Sequence, residues 1–113
     1  MIDNITTISE IIATYQKHGW ILRRVLLSAE LKSCLDKEID SLFRSIQIAN
    51  STVDAAWFSR PPKAGGVAWE LRYLGDPPLA MLEKADEADP AFENALKNVE
   101  VRLIEAVAAK EAA

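Results

Sequence analysis

The 113 residues include one cysteine, Cys34, and one histidine, His18. A single thiol excludes an intramolecular disulfide, and one thiol with one imidazole cannot build the usual structural zinc site within a chain. No metal and no cofactor are therefore expected, and a reducing compartment is the simpler setting. No apolar run approaches the roughly 20 residues of a membrane-spanning helix. The start, Met1-Ile2-Asp3-Asn4, lacks a basic region followed by a long apolar stretch. The expectation is a cytoplasmic protein with no membrane contact. Four Gly and five Pro are too few for a collagen-like or linker-dominated chain.

Catalytic and nucleotide-binding patterns are missing as well. Gly65-Gly66 lies between two extended segments, not at a strand-to-helix turn, and no Lys-Ser/Thr of a P-loop follows. There is no His-Glu-x-x-His, calcium-loop or nucleophile-elbow pattern. His18 just before Gly19 fits the negative end of a helix better than a catalytic triad. Cys34 sits beside Asp36, Lys37 and Glu38 with no basic cluster to activate it, and reads as a half-buried helix residue.

What is present describes a single folded domain over 1–113, with about 108–113 as a frayed tail. Half the residues are apolar, 27% are charged and the net charge is −4, a balance that supports a core without staples. Residues 17–75 hold nine Lys/Arg against six Asp/Glu, whereas residues 76–113 hold four against nine. The acidic last third disfavours nucleic acid as a partner.

Periodicity predicts the elements. Thr7-x-x-Glu10 forms a capping box, and Ile8, Ile11, Ile12 and Tyr15 repeat at helical spacing over 8–18. Trp20 to Leu27 reads as an interior strand with Arg23 and Arg24 on opposite faces. Ser28 caps a helix whose stripe, Leu31, Leu35, Ile39 and Leu42, continues to Phe43. Ile46 to Ile48 suggests a short strand, so that 20–48 form a candidate βαβ unit with parallel strands. Segments 53–60 and 67–74 form an antiparallel hairpin. A symmetric register sets Phe58 opposite Trp69 and Trp57 opposite Glu70, and a one-residue asymmetry changes those partners. Residues 79–85 fit either a short helix or a returning edge strand, with the strand the better match. Asp89-Pro90 opens a long amphipathic helix through Phe92, Leu96, Val99 and Leu103. The fold class is α+β: one mixed sheet of four to five short strands with about three helices, in the order α-β-α-β-β-β-(β)-α.

The hairpin is the one region with a functional look. It concentrates Trp57, Arg60, Lys63, Trp69, Glu70 and Arg72, residue types that hold an anionic or aromatic ligand or anchor a protein interface. The plainer use of its aromatics is core packing. The preferred expectation is a non-catalytic binding or regulatory module that self-associates, with a second copy or another protein as partner and the last helix contributing the dimer contact. The alternative is a small-ligand-binding protein or cryptic enzyme using Arg60, Arg72, Asp54 or Glu70 beside Trp57.

Overall fold

The computed structural model describes residues 5–61, 67–76 and 78–112. Its elements are α1 (Ile5–Lys17), β1 (Ile21–Leu27), α2 (Ala29–Leu35), a 3-10 turn (Asp36–Glu38) and α3 (Ile39–Leu42). They are followed by β2 (Gln47–Asn50), β3 (Ala55–Arg60), β4 (Val67–Tyr73), β5 (Ala80–Ala85) and α4 (Phe92–Ala112). The five strands form one mixed sheet in the order β2-β1-β3-β4-β5. β1 and β2 run parallel, joined through α2 and α3 as a βαβ unit, and the other neighbours are antiparallel. Within the segment 79–85, residues 80–85 thus form a strand. No helix of the described residues is long and apolar enough to cross a membrane.

Helices pack on both faces of the sheet, which gives two cores. Phe92, Leu96, Val99 and Leu103 of α4 cover Leu26, Trp57, Trp69 and Leu71 on one face. Ile8 and Ile12 of α1, with Leu31, Leu35 and Phe43, cover Leu22, Val25, Leu27 and Phe58 on the other. β3 lies in the middle, and Ala55 to Ser59 are all buried. Trp57 and Phe58 are adjacent and face opposite ways, and each is fully enclosed. Each such burial contributes roughly 1.5–3 kcal/mol.

Local chemistry sets the element ends. Gly19 has φ +87 and follows His18, whose Nδ1–H donates to the Thr14 carbonyl at 2.9 Å. This is the left-handed stop the Lys17-His18-Gly19 run predicts. Ser28 caps α2, its hydroxyl accepting from the Leu31 N–H. Asp54 accepts from the Ser28 N–H at 2.7 Å and from its hydroxyl at 3.2 Å, so the cap is tied to the start of β3. Asp89 Oδ1 accepts from the Ala91 N–H at 2.8 Å just ahead of α4.

Several expectations need correction. The chain is already helical at Ile5, upstream of the Thr7 capping box. The predicted helix through Phe43 breaks at Asp36, where φ is +38, and resumes at Ile39. Cys34 is exposed because the buried stripe passes through Leu31 and Leu35. The second strand starts at Gln47, and the last helix continues past Val107 to Ala112.

The hairpin register is offset by one from the symmetric pairing. Trp57 faces Leu71, Phe58 faces Glu70 and Ser59 faces Trp69, so Trp57 and Trp69 share the α4 face. β1 shifts register between Leu22 and Arg24. This irregularity, of the β-bulge kind, puts Leu22 and Val25 in the α1-side core and sends Arg23 and Arg24 to the same side. Finally, the apolar stripe of α4 is covered by the chain's own sheet, which removes the reason for a dimer contact there.

Candidate functional site

The hairpin residues are dispersed over three environments. Trp57 is fully buried, and its indole Nε1–H donates to Glu100 Oε2 at 2.9 Å. Trp69 is 1% exposed and meets Phe92 edge-on at 5.1 Å between ring centres. Its Nε1 has no hydrogen-bond partner among the described residues, and the Arg23 guanidinium lies 5.2 Å from its ring centre. Both indoles therefore serve the α4-side core.

Glu70 and Arg72 project to the opposite face. There the Tyr15 hydroxyl donates to Glu70 Oε2, and Arg72 Nη1 donates to the Tyr73 carbonyl. Tyr15 also stacks on Phe58 at 4.1 Å. Burial first, and then the Glu70 carboxylate, push the Tyr15 hydroxyl pKa well above the ordinary phenol value. Arg60 is exposed, with its guanidinium 4.5 Å from the centre of the Trp20 ring. Lys63 lies outside the described residues. The five described residues thus share no single surface, and Trp57 and Trp69 present none at all.

A polar cleft of about 310 Å³ opens at one end of the sheet, lined by Ser28, Glu30, Asp54, Tyr73, Asp76 and Glu111 among others. Asp54, the acid singled out beside Trp57, is here, engaged with Ser28. The Tyr73 hydroxyl is held above its usual pKa by burial and by Glu111, Asp54 and Asp76. Among the described residues no three His, Cys, Asp or Glu side chains converge to hold a metal ion.

The less obvious surface is the half-sheet formed by β4 and β5 on the α1 side. Here Ala80, Leu82 and Lys84 are all exposed, and Leu82 at 62% is among the most exposed large apolar residues described. The register sets Glu70 beside Leu82, Arg72 beside Ala80 and Ala68 beside Lys84. Tyr15 and its Glu70 contact border this strip from the α1 side.

The backbone of β5 is equally specific. The Tyr73 N–H donates to the Leu79 carbonyl at 2.8 Å, which marks Tyr73 and Leu79 as a hydrogen-bonded pair. Such pairs alternate along an antiparallel ladder, so Leu71 with Met81 and Trp69 with Glu83 are of the same kind. Ala80, Leu82 and Lys84 consequently turn their N–H and C=O groups away from β4, toward the free edge of the sheet.

Sequence reasoning passed over Leu82, Tyr15 and Trp20. A signal for Leu82 was present in the alternation of Ala80, Leu82 and Lys84 with Met81, Glu83 and Ala85, which separates two faces once 80–85 is taken as a strand. Comparison with models of protein families, with curated proteins and with solved structures returned no match to this chain.

Proposed function

We propose that this chain is a non-catalytic protein-binding module that receives an extended segment of its partner along β5. The observation that carries the reading is Leu82, 62% exposed in the middle of an edge strand. Strand addition draws affinity from outward-facing backbone groups and selectivity from side chains at alternate positions. β5 offers the backbone groups at Ala80, Leu82 and Lys84. Leu82 supplies the apolar anchor, and Glu70, Arg72 and Lys84 form a polar surround. Native edges are usually blunted by charge, proline or a covering element. Lys84 is the only charged side chain that β5 turns to the open face.

The ligand-binding alternative centred on Trp57 draws no comparable support, because the two indoles face α4 and not solvent.

Panning a displayed library of extended peptides over the immobilised protein tests the reading. Retained peptides should slow amide exchange at Ala80, Leu82 and Lys84, and Leu82→Asp should abolish their retention. Retention unaffected by Leu82→Asp, or protection confined to other elements, would refute it.

A further inference from the structure

Resting on that reading of β5 as a receiving edge, we infer that the segment it receives is β5 of a second copy of this chain, paired antiparallel about a two-fold axis at Leu82. The argument is one of self-complementarity. The outward backbone groups occur at Ala80, Leu82 and Lys84, symmetrically about Leu82. Rotation about an axis normal to the sheet, lying just outside β5 and level with Leu82, sets Leu82 against Leu82 of the second copy and Ala80 against Lys84 of the second copy. Every outward donor then meets an outward acceptor.

Neighbouring registers fail for identifiable reasons. Centring on Glu83 places two carboxylates directly opposite each other, which is destabilising. Centring on Met81 places Lys84 opposite Pro78, which has no N–H to contribute. The Leu82 register avoids both faults. It sets Glu83 opposite Met81 and lays the apolar stem of Lys84 over Ala80. The exposed Leu82 side chain is covered by its own copy, and the two five-stranded sheets become one continuous sheet of opposite-running halves. A closed two-fold pairing of this kind consumes both free β5 edges and does not propagate.

Six residues on each side make a small contact, in the range of transient assemblies. The dimer should therefore appear in sedimentation or light scattering between micromolar and millimolar concentration, and Leu82→Lys should remove it by setting two ammonium groups together at the axis. The register is read by cross-linking in a Cys34→Ser background. Opposed Cα atoms of a hydrogen-bonded pair lie about 5.5 Å apart, within the roughly 4.4–6.8 Å a disulfide spans. Leu82→Cys should form a disulfide-linked dimer under mild oxidation, and Glu83→Cys should not. A wild type that stays monomeric at millimolar concentration would overturn the inference, as would a Leu82→Lys variant that still dimerises or preferential cross-linking through Glu83→Cys. Peptide capture at β5 by a monomeric wild type would leave the receiving-edge reading standing with a different partner. Loss of both results would remove the two together.

Discussion

Trp57 Nε1 donates to Glu100 Oε2 at 2.9 Å, which ties the middle of the central strand to the middle of α4. The indole is fully buried, so without this acceptor its N–H would be shut away from water. Glu100→Ala should cost about 1–2 kcal/mol, the usual penalty for stranding a buried donor, and Glu100→Gln should recover most of that. Trp57→Ala should cost about 3–5 kcal/mol through the cavity it leaves. Urea midpoints give the ranking, and a Glu100→Ala variant as stable as wild type would show that the bond contributes nothing.

Tyr15 should make the fold sensitive to alkali. Burial and Glu70 raise its pKa in the folded state, so the unfolded chain releases this proton first. The associated stability is fully present below pH ~10, the ordinary tyrosine value, and is lost as pH rises from there toward the folded-state value. Tyr15→Phe keeps the stacking on Phe58 and loses the hydrogen bond to Glu70, at a cost of about 1 kcal/mol near neutrality. It should also flatten the alkaline decline. Phenolate absorbance followed with thermal midpoints across the alkaline range checks both effects.

The element order was legible because each helix and strand carries its own period. The Ile8, Ile12 stripe, the Ser28 cap and the Asp89-Pro90 start depend on neighbours within a few residues. What was hidden depends on counts across the sheet. The hairpin offset moves Trp69 to the face of Trp57, and a one-residue change in pairing is enough to do that. The irregularity between Leu22 and Arg24 likewise cannot be read from β1 alone, since it exists only relative to β3. The hairpin's cluster of aromatic and charged residues therefore resembled one surface while being divided between two faces. Leu82 was overlooked because an isolated leucine in a short amphipathic segment gives no indication of whether its face is covered.

Acid should weaken the anchor between β1 and α4. Arg24 donates to both Glu93 carboxylate oxygens, at 2.9 and 2.8 Å, and this lowers the Glu93 pKa. A depressed carboxylate contributes stability that is present above the unfolded value near pH ~4.3 and is lost as pH falls through the folded value. Glu93 is largely exposed, so salt should screen the effect. Thermal midpoints of wild type and Glu93→Gln should converge at acidic pH and separate toward neutrality. Parallel curves at every pH would show that the pair carries no linked stability.

Cys34→Ser should be close to neutral. The thiol is exposed and lies off the Leu31 and Leu35 stripe, and substitutions at such positions usually stay within about 0.5 kcal/mol. The wild-type thiol should react fully with a disulfide reagent under native conditions. Protection until unfolding would place it in the core instead.

The connection between α2 and β2 holds two non-glycine residues with positive φ, Asp36 at +38 and Ser45 at +63. Asp36 ends α2 by donating its backbone N–H to the Lys32 carbonyl, and the reversal there turns the chain so that Ile39, Leu42 and Phe43 can reach the α1-side core. Glycine at either position keeps the backbone bonds and removes the clash of Cβ with the chain, worth roughly 1–2 kcal/mol for a left-handed residue. Against that stands about 0.5–1 kcal/mol of extra backbone entropy lost on folding. Relief exceeds cost, so Asp36→Gly and Ser45→Gly should each stabilise by about 0.5 kcal/mol, a rise in thermal midpoint of roughly 2–4 °C for a domain near this size. Asp40→Gly is the control. It lies within α3, has no positive φ to relieve, and should lose stability by about 0.5–1 kcal/mol. Equal losses in all three variants would mean that the connection accommodates its side chains without strain.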